Sequence, residues 1–156
     1  MRKVIYPGTF DPITNGHLDI IKRASSIFDH VIVAVARSQE KRPMFDIATR
    51  VKMAHIATSD LPNVTIKEFD TLLVNFCQQE DAFIVIRGLR AVSDFEYELQ
   101  MGYANRSLDK NIETLYLMPS LQNAFISSSV VRTILKYKGN VSHLVPQNII
   151  PYLESR

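Results

Sequence analysis

A single cysteine, Cys77, is the whole thiol content of the 156 residues. It excludes an internal disulfide framework and any cysteine-built zinc cluster. Excess charge is nearly missing as well: 18 basic residues face 16 acidic ones, leaving +2. That is too little for a polybasic, histone-like surface, so nucleic acid is not an expected partner. A small local anion site remains open. No apolar run approaches the roughly 18 residues of a membrane span. The only apolar run before Pro7, Val4-Ile5-Tyr6, falls far short of the about 7–15 residues of a signal-peptide core. A cytoplasmic protein without membrane contact is expected. No repeat, low-complexity tract or Gly/Ser/Pro linker divides the chain, and its length suits one domain over residues 1–156. His30, His55 and His143 are scattered without metal-ligand spacing.

What is present alternates between two periods. Val4-Ile5-Tyr6, Val31 to Ala36, Val64-Thr65-Ile66, Ala82 to Ile86 and Thr114 to Leu117 are short apolar runs that read as buried strands. Between them, helical spacing covers Gly16 to Phe28, Asp46 to Thr58, Thr71 to Gln79 and Ser93 to Ser107, the last with Ser93 or Asp94 as N-cap. Ser128 to Tyr137 and Pro146 to Glu154 read as closing helices. Nearly all-apolar strands separated by helices predict an α/β fold. Its form is a Rossmann-like, doubly wound five-stranded parallel sheet with helices on both faces. In such sheets ligands sit beyond the carboxyl ends of the strands.

Four unusual clusters fall at those ends. The first is Tyr6-Pro7-Gly8-Thr9-Phe10-Asp11-Pro12-Ile13-Thr14-Asn15-Gly16-His17. It places an imidazole in a first helical turn, where free N–H groups and the helix dipole favour an anion. Read alone, His17 also suits a plain capped turn. Two glycines and two prolines are more special backbone than such a turn needs. Asp11 reads as a turn residue beside Pro12 or as a metal-positioning carboxylate. The second cluster, Arg37 to Phe45, is a solvated charge run or an anion site. The third pairs Arg87-Gly88-Leu89-Arg90 with Asp94, Glu96 and Glu98. It reads either as internal salt bridges or as guanidinium forks for phosphate. The fourth, Phe125-Ile126-Ser127-Ser128-Ser129-Val130-Val131-Arg132, is a serine N-cap or a cradle for outer phosphates.

The Thr14-x-Gly16-His17 string and the Ile126-Ser127-Ser128-Ser129 string resemble signatures of the nucleotidyltransferase superfamily. Arg87-Gly88-Leu89-Arg90 followed by Asp94-Phe95-Glu96-Tyr97-Glu98 resembles its bacterial-type phosphopantetheine adenylyltransferase family, over about Val4 to Val145. The resemblance implies AMP transfer from ATP to 4′-phosphopantetheine, giving dephospho-coenzyme A and pyrophosphate. It implies catalytic roles for His17, Lys41 and Arg90. It implies an ATP site of Thr9, Phe10, His17, Gly88, Leu89, Arg90, Glu98, Asn123, Ala124, Phe125, Ile126, Ser127, Ser128 and Ser129. Asn123 stands where some members carry an aromatic residue, which leaves backbone contacts for adenine. The acceptor side is implied to be Thr9, Lys41, Leu73 and Arg87. The resemblance also implies Mg²⁺ carried mainly by the ATP phosphates, a homohexamer, and feedback by coenzyme A.

The acceptor phosphate is already an anion, so no general base is required. The task is to overcome repulsion between polyanions and charge build-up at the α-phosphate. The competing readings are a nucleotidyltransferase for another acceptor, such as nicotinate mononucleotide, and a nucleotide-binding module without catalysis.

Overall fold

The structure is a computed structural model and describes residues 1–37, 42–90 and 95–154. The strands are β1 (Lys3–Gly8), β2 (His30–Ala36), β3 (Val64–Phe69), β4 (Ile84–Gly88) and β5 (Glu113–Leu117). The helices are α1 (Asn15–Ile27), α2 (Ile47–Ala57), α3 (Leu73–Glu80), α4 (Phe95–Leu108), α5 (Ser128–Lys136) and α6 (Ile150–Leu153). All ladders are parallel and the strand order is β3-β2-β1-β4-β5. This is the Rossmann-like sheet the alternating pattern predicts.

The strands read as continuous apolar runs because both faces are covered. Val31, Val33 and Val35 join a core with residues of α1, α2 and α5, whereas Ile32 and Ala34 pack with Val74, Phe76 and Cys77 of α3. Cys77 is fully buried, and burial pushes its thiol up to about 11, so it acts as core packing. Helix α2 starts and stops where its ends predict. Asp46 accepts the Thr49 N–H as N-cap, and Thr58 is the C-cap.

Several boundaries differ from the sequence reading. β3 runs on to Phe69, and β4 spans Ile84–Gly88 in place of Ala82 to Ile86, which puts Arg87 inside the strand. β1 does not stop before Pro7 but runs through Pro7 and Gly8, paired with β2 at Ala34 and Val35. The β1–β4 ladder ends at Ile5 and Val85, so at Pro7 the β4 side is open and a missing N–H costs no ladder bond. The closing helix expected over Pro146 to Glu154 is split. A 3₁₀ turn over Gln147–Ile149 is followed by the four-residue α6 with Pro151 in its first turn. Pro151 cannot donate back along a longer helix, so a new turn starts there. Ser93 and Asp94, expected to cap α4, lie outside the described residues.

Candidate active site

The chain reverses its direction of travel across the sheet between β1 and β4, which is where ligands of open parallel sheets bind. No ladder joins the last three residues of these strands. Arg87 fills the opening. Its Nη1 donates to the Pro7 carbonyl at 2.9 Å, while Nε and Nη2 grip the two Glu98 oxygens at 2.7 and 2.8 Å. Glu98, from α4, is buried. The salt bridge offered by the sequence is therefore formed, with Glu98 as partner. It uses three of the five guanidinium N–H groups.

Two cavities of about 360 Å³ each flank the end of β1. Pro7, Gly8, Thr9, Arg87, Tyr97 and Glu98 line both. The first cavity lies on the α1 and α5 side and includes His17, Arg90, Ser127, Ser129 and Arg132. The second lies on the α3 and α4 side and is lined by Phe69, Leu73, Met101, Asn105 and Thr114 among others. A ligand in either can reach the turn at Thr9.

The β1–α1 turn has its left-handed backbone at Phe10, with φ 50°, and not at a glycine. Its ring turns into the core, edge-on to Tyr6 at 5.4 Å and to His17 at 4.8 Å. Gly8 is needed because a Cβ there would meet the Phe10 ring at 3.0 Å. Gly88 likewise lets β4 lie against α1, where a Cβ would meet Ile20 at 3.0 Å.

His17 is the third residue of α1 and closes a capping box with Thr14. Its Nδ1 accepts the Thr14 backbone N–H at 3.0 Å. A backbone N–H can only donate, so the ring proton sits on Nε2. Burial, with Arg90 and Arg87 adding to it, lowers its pKa from 6.5 to about 3. The site thus holds a neutral imidazole with an Nε2–H donor. The free N–H groups expected in this helical turn are partly used: Asn15 donates to Leu144 and His17 to the Thr14 hydroxyl. The ring, more than the helix end, is what α1 offers a ligand.

On the opposite wall, Ser127 caps α5 by accepting the Val130 N–H, and Ser128 Oγ donates to the Pro12 carbonyl at 2.8 Å. Arg132, one turn on, donates to the Asp11 carbonyl at 2.8 Å and to Ser129 Oγ at 3.2 Å. The segment before α5 is pinned by Asp19. That carboxylate accepts from Ser120 N at 2.7 Å, Ser120 Oγ at 2.8 Å and Asn123 Nδ2 at 3.0 Å. Burial pushes the Asp19 carboxyl up, but hydrogen bonds from Asn123, Ser120 and Arg23 outweigh it and hold it near 2. Its folded-state value lies below the ordinary 3.8, so this contribution to stability is present above pH 3.8 and fades as pH falls towards 2.

A profile described as cytidylyltransferase-like matches residues 5–134. A phosphopantetheine adenylyltransferase of Nautilia profundicola is 64% identical over 95% of this chain and 96% of its own length. That of Wolinella succinogenes is 62% identical over 99% and 96%, and that of Campylobacter hominis 60% over 97% and 96%. The chain belongs to the phosphopantetheine adenylyltransferase family.

Of the residues implied by resemblance to this adenylyltransferase family, the first cavity brings together Thr9, Phe10, His17, Arg87, Gly88, Arg90, Glu98, Asn123 and Ile126 to Ser129. Leu73 lines the second cavity. Leu89, Ala124 and Phe125 line neither: Leu89 donates its N–H to Leu117, Ala124 is buried, and the Phe125 side chain is exposed. Lys41 lies outside the described residues. Asp11 accepts the N–H groups of Met44 and Phe45 at 2.8 and 3.0 Å, a long-range tie to the approach of α2 and not a local turn beside Pro12. Two residues escaped the sequence reading of this adenylyltransferase chain, Asp19 and Arg50, helix residues that hold the segments around the site. Arg132 closed the fourth cluster without a role, and the fold brings it to the first cavity.

Proposed function

We propose that the two cavities divide the substrates of an adenylyl transfer between them. The chain is a pantetheine-phosphate adenylyltransferase of coenzyme A biosynthesis. It joins the AMP unit of ATP to 4′-phosphopantetheine and releases pyrophosphate. ATP occupies the α1/α5 side, with its outer phosphates at Ser127 to Ser129, Arg90 and Arg132. The pantetheine arm occupies the more apolar α3/α4 side along Leu73. Its phosphate reaches Thr9, Arg87 and Lys41. The observation that carries this reading is the shared wall: Thr9 and Arg87 line both cavities.

The reaction forms one bond, from an acceptor phosphate oxygen to the α-phosphorus, and breaks the α–β bridge. The leaving pyrophosphate keeps the electron pair. His17 donates from Nε2 to the α-phosphate oxygen as charge builds. Mg²⁺ enters as part of MgATP. The donor set suits this: both oxygens of Asp11 and of Glu98 are engaged within the protein. When bound it neutralises the triphosphate. Replacing Lys41 by alanine raises the KM for phosphopantetheine about tenfold or more and leaves that for ATP within about twofold. Equal losses for both substrates contradict the division.

The apolar residues of α4, Phe95, Tyr97, Leu99, Met101, Tyr103 and Leu108, are exposed, a surface suited to burial between copies. We read it as part of a homohexamer interface, so light scattering should return six times the chain mass of 17.8 kDa. Coenzyme A carries the acceptor's arm and fits the same α3/α4 cavity as a feedback ligand, as does the product dephospho-coenzyme A. Among the described residues no helix is long and apolar enough to cross a membrane. We place the enzyme in the cytoplasm on the strength of its place in coenzyme A biosynthesis.

A further inference from the structure

We propose that Arg50, together with Asp11, clamps the acceptor side of the site, with Arg50 as a positioning residue. Arg50 is only 1% exposed, and no carboxylate lies within hydrogen-bond distance of it among the described contacts. Four of its five N–H groups are instead spent on carbonyls. Nε donates to Phe45 at 3.0 Å, Nη1 to Thr9 at 2.9 Å and to Ala36 at 2.7 Å, and Nη2 to Arg37 at 3.2 Å. A buried cation is costly without such matching. An apolar residue would serve plain packing at this point of α2.

The four carbonyls belong to three segments: the turn after β1, the end of β2, and the approach to α2. Carbonyls beyond strand ends have lost their ladder partners and must find others. Arg50 supplies them from one rigid fork. Asp11 completes the grip by holding the Met44 and Phe45 N–H groups. Phe45 is thereby held by its N–H and its carbonyl at once. Arg37 and Met44, described residues on either side of Lys41 in the sequence, are both tied to the Thr9–Asp11 turn, Arg37 through Arg50 and Met44 through Asp11. The clamp acts through these groups and touches no substrate. It rests on the reading that Thr9 and Lys41 receive the acceptor phosphate.

The test is Arg50→Lys in the full-length enzyme, with steady-state KM measured for each substrate and Thr9→Ala run beside it. An ammonium has three donors at one point and cannot bridge three segments. The KM for phosphopantetheine should rise about tenfold or more, with that for ATP within about twofold. An acceptor KM unchanged within about twofold, or an equal rise for both substrates, overturns the clamp. If Arg50→Lys shifts the acceptor KM and Thr9→Ala does not, the role given to Thr9 falls while the clamp stands through Arg37 and Phe45. Should Arg50→Lys fail to melt cooperatively, Asp11→Asn gives the same readout. Its amide turns a donor towards one of the two N–H groups it must accept, so the same split is expected and its absence is decisive.

Discussion

Replacing His17 by alanine lowers kcat about 10²–10³-fold, with much smaller changes in either KM. The size follows from the tautomer. Thr14 N–H occupies Nδ1, so the proton on Nε2 is held ready for donation, on the proposed reading to the α-phosphate oxygen. The imidazole is neutral because burial and two guanidinium groups lower its pKa to about 3. A donor of this kind does not switch off near the ordinary value of 6.5. The kcat of the wild-type enzyme should show no acid limb there that alanine removes. The lowered value also has a stability consequence. The unfolded chain binds the proton more readily, so stability linked to His17 is complete above pH 6.5 and declines as pH falls towards 3. Steady-state kinetics from pH 5.5 to 8.5 checks the first point. A near-normal kcat for His17→Ala removes the assigned role.

Arg87→Ala should be the most damaging change on the acceptor side, and for two separable reasons. It removes a cation from the wall shared by both cavities, so kcat/KM for phosphopantetheine falls about 10²–10³-fold. It also leaves the buried Glu98 carboxylate and the Pro7 carbonyl without their donor. Breaking a buried pair costs roughly 3–5 kcal/mol. A value near 2–3 kcal/mol is expected here because a third of the Arg87 side chain, 33%, remains in solvent. Arg87→Ala combined with Glu98→Gln separates the two. Removing the stranded carboxylate should restore much of the stability and none of the activity. Urea melts and kinetics on the two variants give the comparison. Activity that returns together with stability contradicts a direct role for Arg87.

The strands were legible because a parallel sheet buried on both faces leaves continuous apolar runs such as Val31 to Val35. The first cavity was legible in outline for a related reason: His17, Arg90 and Ser127 follow strand ends, where this fold binds ligands, while Arg87 lies one residue inside the end of β4. Other features needed the third dimension. Arg50 sits within the helix predicted over Asp46 to Thr58, where nothing in the spacing marks a cation as buried, yet it is 1% exposed. Asp19 is a helix polar residue of the same kind, and Arg132 stood in the serine cluster with no role until the fold placed it in the first cavity. The left-handed backbone of the first turn falls on Phe10 and on neither of its glycines, and the buried ring secures a conformation that the backbone alone disfavours. Leu89, Ala124 and Phe125 lie within site strings, but neighbours along a turn point in different directions and only some reach the cavity. Pro151 was the one missed cue written openly in the sequence, since a proline six residues into a helix ends one turn and begins another.

The most direct test of the shared crevice is pyrophosphate release from MgATP, measured with phosphopantetheine and with nicotinate mononucleotide in separate reactions. Release that depends on phosphopantetheine, matched mole for mole by dephospho-coenzyme A, is the expected result. Release with nicotinate mononucleotide and none with phosphopantetheine contradicts the assignment of the α3/α4 cavity to the pantetheine arm.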